Sequence, residues 1–156
     1  MEFIGADDHS TVILCGYAPC YTNKANSCTT YQQHRRYFIT HEGTADEPRA
    51  RFLLDLVVLL KQWKEEGKRI VVCMDANENM YKDIIGRFLT DSEGLDMAET
   101  VLATNGAPLT ATQFHDTRPI DSVWVTKDLE VVNACALPVR FGVSHHRMFV
   151  VLSMSP

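Results

Sequence analysis

The strongest constraint on this chain is an apolar stripe with helical spacing, followed at once by an apolar run with strand character. Phe52, Leu53, Leu56, Val57, Leu60 and Trp63 recur at three- and four-residue steps, which gives a helix over 48–66 one apolar face. Pro48 suits the first turn of that helix and Gly67 its stop. Two residues later comes Ile70-Val71-Val72-Cys73-Met74, short, β-branched and continuously apolar, the pattern of a buried strand. A helix with one greasy face beside a buried strand requires a layered α/β arrangement, because each must cover the other.

The remaining segments fit that class. Thr11-Val12-Ile13-Leu14-Cys15 reads as another buried strand, closed by Gly16-Tyr17-Ala18-Pro19. Residues 20–48 are polar and irregular, so a long loop with one helical turn near 30–38 is expected. Loops of that length in compact domains are often functional. Short helices are predicted over 83–89 and 95–104. Turns are predicted at Asp91-Ser92-Glu93-Gly94 and Asn105-Gly106-Ala107-Pro108. Strands are predicted over 122–126, 129–137 and 148–153. The 156 residues suit a single domain.

Composition removes several function classes. Hydrophobic residues make up 46% and charged residues 22% of the chain, which argues against disorder. No apolar run approaches the roughly 18 residues of a membrane span. The acidic start Met1-Glu2-Phe3-Ile4-Gly5-Ala6-Asp7-Asp8 lacks the basic and apolar regions of a secretory signal. Five cysteines, an odd count without a Cys-x-x-Cys pair, point to reduced thiols and an intracellular location, cytoplasmic or nuclear. The net charge of −5 opposes non-specific binding to nucleic acid through Lys and Arg. It does not oppose a nuclease, since a metal held by carboxylates presents positive charge to a phosphate.

Four segments place polar groups at the tips of predicted strands, where a rigid sheet can hold them. Asp75-Ala76-Asn77 follows the run ending in Met74. Its carboxylate can hold a hard cation or orient a water, and its amide can bind a phosphate oxygen; an Asx-rich turn is the plainer reading. Asp121 opens the strand Ser122-Val123-Trp124-Val125. A carboxylate there needs a partner, and a histidine would serve; the alternative is a capping Asp. Gly142-Val143-Ser144-His145-His146-Arg147 precedes the last strand. A histidine oriented by an aspartate can act as general acid or base, whereas His-His alone is ordinary in a surface loop. Tyr17 could donate its hydroxyl to a phosphate oxygen or simply pack.

Taken in order, these segments run Tyr-x-Pro at a strand end, a helix, Asp-x-Asn at a strand end, Ile-Asp opening a strand, and Ser-x-His-Arg before the last strand. Over roughly residues 11–153 that order resembles the endonuclease/exonuclease/phosphatase (DNase I-like) superfamily. The stretch from Tyr31-Gln32-Gln33 through Asp75-Ala76-Asn77-Glu78 to His146-Arg147 also resembles endonuclease-like proteins carried by mobile elements in some eukaryotes. The resemblance implies half of a four-layer αββα sandwich, with one mixed sheet and flanking helices. It implies that residues 1–156 are a single truncated domain. It implies in-line attack of activated water on a phosphodiester, aided by Mg²⁺ or Mn²⁺. Catalytic roles then fall to Tyr17 on the phosphate, Asp75 and Asn77 on water, metal and phosphate, Asp121 orienting a histidine, and His146 as that histidine. The metal side falls to Asp75, Asn77 and His145.

Two departures from the superfamily pattern stand out. His145 occupies a position that the resemblance assigns to a metal-binding Asp, and imidazole suits Mn²⁺ or Zn²⁺ better than Mg²⁺. The Asn and Glu that the superfamily's first half supplies have no counterpart in these residues. An uncovered apolar sheet face would follow, favouring a homo-oligomer or docking on a separate N-terminal half. A non-catalytic binding module of the same fold is the competing expectation. A zinc site from Cys28, His34 and His41 fits no compact finger spacing. The basic, aromatic run Tyr31-Gln32-Gln33-His34-Arg35-Arg36-Tyr37 reads as a solvated turn before it reads as a nucleic-acid contact.

Overall fold

The computed structural model describes residues 1–5, 9–24, 28–91, 95–142 and 145–153. Ser92-Glu93-Gly94 of one expected turn, and Val143 and Ser144 of the last motif, lie outside the described residues.

The predicted helix is α2, Pro48–Glu65, with Pro48 in its first turn and Glu47 capping the Ala50 N–H. Gly67 ends the segment at φ +73°, a left-handed conformation that glycine adopts without steric cost. Before it, the long polar segment holds more helix than one turn: α1, Thr30–Tyr37, continues into a π-helical turn over Phe38–Glu42. Thr29 caps α1 by accepting from the Gln32 N–H.

Five strands form one mixed sheet: β1 (Glu2–Ile4), β2 (Ser10–Tyr17), β3 (Arg69–Asp75), β4 (Met97–Glu99) and β5 (Asp121–Thr126), in the order β1-β2-β3-β5-β4. Strands β2 and β3 are parallel and the other pairs antiparallel. A parallel pair needs a long crossover, and α1 with α2 supplies it. Strand side chains alternate between faces, so Val12, Ile70, Val72, Met74 and Trp124 point to one side. There they are buried with Leu56 and Leu60 of α2. The opposite face is uneven: on β5 Val123 and Val125 are buried there, while on β2 and β3 Ile13, Val71 and Cys73 are partly covered and Cys15 is exposed. Burial and the neighbouring Cys15 thiol push the Cys73 thiol up to about 11.

The helix expected over 95–104 is replaced by β4 and a shorter helix α4, Thr100–Asn105. Pairing decided this segment: Met97, Ala98 and Glu99 face Thr126, Val125 and Trp124 of β5. Glu99 is 3% exposed, and its carboxylate accepts from the Val101 and Leu102 N–H groups and from the Tyr81 hydroxyl. Helix α3, Ile84–Thr90, falls where expected. The last two strands, β6 (Val131–Ala136) and β7 (Phe149–Ser153), form a separate antiparallel pair.

Candidate active site

Strand register brings the site together. Tyr17 lies opposite Asp75 across β2 and β3, and Asp75 lies opposite Asp121 across β3 and β5. Residues paired in this way share a face, so the three side chains stand in a row at one end of the sheet. The loop before β7 adds His146, whose Nδ1 lies 2.9 Å and 3.1 Å from the two Asp121 carboxylate oxygens. Asp75, Asp121 and His146 each offer a ligand atom within 4.8 Å of the others.

The strand tips are tied to one another by main-chain contacts. The Ala18 N–H donates to the Asp75 carbonyl, the Ala76 N–H to Ile120, and the Met80 N–H to Pro119. Asn77 turns the chain at φ +51°, a left-handed conformation that Asn tolerates better than most residues. Its N–H donates to the Asp75 carboxylate at 3.2 Å, and its side-chain amide donates to the Ala18 carbonyl at 2.8 Å. One amide hydrogen is therefore spent on structure, and the amide has a second to offer.

Asp75 is half-buried, and its carboxyl lies above the usual carboxylate range. Burial is the main cause and the neighbouring Asp121 the next; the Asn77 N–H and His146 pull the other way. Asp121, accepting at Nδ1 of His146, fixes the ring's orientation and leaves Nε2 as the nitrogen that can exchange a proton.

Several residues that hold this arrangement carried no readable signal in the sequence. Buried Thr112 accepts from the N–H groups of Ile120 and Asp121, pinning the start of β5. Arg49 of α2 donates to the Pro19 and Ala76 carbonyls and pairs with Glu78 at 2.6 Å. Arg147, beside the histidine, donates to the Leu137, Ala111 and Ala136 carbonyls. Its own N–H donates to the Thr112 carbonyl. Gly142 passes so close that a Cβ there would lie 2.0 Å from the His146 carbonyl oxygen. The partners of Thr112, Arg49 and Arg147 lie eight or more residues away, so no local pattern announces them; Gly142 and Arg147 sat inside a motif read as chemical.

His145 stands apart from the three-residue cluster. It is exposed, with its ring edge-on to His115 at 5.2 Å between centroids. Tyr17, at the outer end of the row, is 49% exposed. Cys28, His34 and His41 form no metal-ligand group among the described residues, and His41 stacks on Tyr37.

No protein-family model matches the sequence, and no curated protein does. Solved structures do. The human Nocturnin catalytic domain with bound sulfate anion aligns with a TM-score of 0.57 at 15% identity, covering 94% of this chain and 49% of that one. The Xenopus laevis APE2 catalytic domain aligns with a TM-score of 0.61 at 12% identity, covering 99% of this chain and 55% of that one. The chain has a DNase I-like fold. It spans about half the length of the solved chains it matches. The DNase I-like half seen here is one mixed sheet backed by α2, with the β6–β7 pair beside it.

Proposed function

We propose that this chain contributes the catalytic edge of a metal-dependent phosphoesterase that hydrolyses a phosphodiester, of nucleic acid or of another molecule. The observation that carries the reading is the His146–Asp121 pair, held at 2.9 Å beside Asp75 and Tyr17 at one sheet end. That the similar human domain holds a sulfate anion, tetrahedral like phosphate, accords with it.

In this reading Asp75 orients the attacking water and receives its proton. The water oxygen bonds to phosphorus as the opposite P–O bond breaks. The departing oxygen takes its proton from His146 Nε2, while Asp121 holds the hydrogen at Nδ1. Tyr17 and the second amide hydrogen of Asn77 donate to phosphate oxygens. Two adjacent carboxylates would repel a phosphate, and the raised carboxyl of Asp75 marks a place where added positive charge is welcome. The donor set therefore fits a hard cation, Mg²⁺ or Mn²⁺, held on Asp75 with Asn77 beside it. Such an ion supplies charge neutralisation on the phosphorus oxygens. His145, its ring against His115, stands outside that donor set.

A second reading rests on the part of the sheet face left open at Ile13, Cys15, Val71 and Cys73. There the chain is a non-catalytic module that self-associates or docks on a polypeptide supplying a second sheet.

Cleavage of plasmid DNA and of a simple phosphodiester, compared in Mg²⁺, Mn²⁺ and EDTA, separates the two. The catalytic reading expects metal-dependent cleavage that falls by ~10²–10⁴-fold in His146→Ala, the usual scale of general acid–base catalysis. It expects a comparable loss in Asp75→Asn. Equal activity in parent and His146→Ala would end it, and no cleavage with any metal would leave the binding module.

A further inference from the structure

The open face of the sheet holds a second chemical feature that the hydrolytic site does not use. We infer that Cys15 and Cys73 form an oxidation site, a dithiol that closes to a disulfide when a hydroperoxide removes two electrons. The inference does not depend on the proposed hydrolysis.

The two residues are register partners on the parallel strands β2 and β3. Neighbouring strands run about 4.8 Å apart, which lies inside the ~4.4–6.8 Å between Cα atoms that a disulfide spans. Register partners share a face, and here it is the face opposite the buried core. Both thiols are free; Cys15 is exposed and Cys73 half-buried. The remaining cysteines offer no such pairing: Cys20 lies in the loop after β2, Cys28 precedes α1, and Cys135 faces Val150 across β6 and β7.

Their unequal exposure sets the order of events. The Cys15 thiolate, reachable from solvent, attacks the peroxide oxygen; the O–O bond breaks, Cys15 becomes a sulfenic acid, and the other oxygen leaves as hydroxide and is protonated to water. Cys73 then attacks the Cys15 sulfur, the S–O bond breaks, and the departing hydroxide takes the Cys73 proton to give a second water. Two thiols and one hydrogen peroxide become one disulfide and two waters. The bridge would tie β2 to β3 two residues from Tyr17 and Asp75.

The test treats the reduced full chain with hydrogen peroxide and maps tryptic peptides without reduction. The expected product joins the peptide holding Cys15 to the one holding Cys73, with fragmentation assigning the bridge to Cys15 rather than Cys20. Two titratable thiols are lost, and dithiothreitol restores them. Cys73→Ser should leave Cys15 as a sulfenic acid captured by dimedone; Cys15→Ser should leave Cys73 a thiol. Over-oxidised Cys15 beside an untouched Cys73 in the parent chain would overturn the inference, as would bridges joining separate molecules through Cys15. Because the parent chain alone decides, poor folding of a variant cannot hide the answer.

Discussion

On the helix side of the sheet Ile70 and Val72 are fully buried and Trp124 is 1% exposed. On the other face of β2 and β3, Ile13, Val71 and Cys73 are only partly covered and Cys15 is exposed, whereas on β5 Val123 and Val125 are buried on that face too. On β2 and β3 strand and backbone are common to both sides; what differs is the presence of α2. The covered side carries the packing that stabilises the chain. The open side carries the proposed chemistry, with Asp75, Asp121 and Tyr17 at one end and the thiol pair beneath them. Substitutions should therefore sort by face.

The largest expected effect tests the covered side. Ile70→Ala removes a fully buried side chain and should cost about 2–5 kcal/mol in denaturant unfolding. Ile13→Ala, on the open side, should cost less than half as much. Equal losses would mean that the open side is packed after all.

Gly142→Ala comes next. Its new Cβ would meet the His146 carbonyl, so the loop must move, at a cost of about 1–3 kcal/mol. The comparison sharpens if that change also lowers metal-dependent cleavage, while Gly106→Ala, which strains only its own left-handed turn at φ +69° and meets nothing within 4 Å, leaves cleavage as it was.

The smallest effect has the opposite sign. The Asp75 carboxyl is raised by burial and by Asp121. A group raised on folding adds stability below its unfolded pKa and loses that contribution as pH rises through its folded pKa. At neutral pH the charged form is therefore a burden. Asp75→Asn should raise Tm slightly at pH 7 in EDTA, the gain vanishing in acid, while cleavage is lost. A lower Tm at pH 7 would contradict the electrostatic account.

Much of this arrangement was legible because it is local. Helix α2 showed its period, its proline and its terminal glycine, and strand β3 showed an unbroken apolar run leading into Asp75. The pairing of Asp121 with a histidine followed from the need of a carboxylate beside a buried strand for a partner. Other parts were hidden because they depend on distant residues. Met97-Ala98-Glu99 carries no strand period; its state is set by β5, more than twenty residues later. The three residues of β1 are too few to show alternation. Nothing near Arg147 announces that its guanidinium will be spent on three carbonyls rather than on a substrate.

The left-handed turn at Asn77 restricts what can stand there. Glycine would follow the bend but brings no side-chain donor; a β-branched residue would bring bulk that the bend excludes. Asparagine meets both demands, since it tolerates the backbone twist while its amide reaches across to Ala18. The spacing of Asp75 and Asn77 is thus set twice over, by the path of the chain as much as by any ligand.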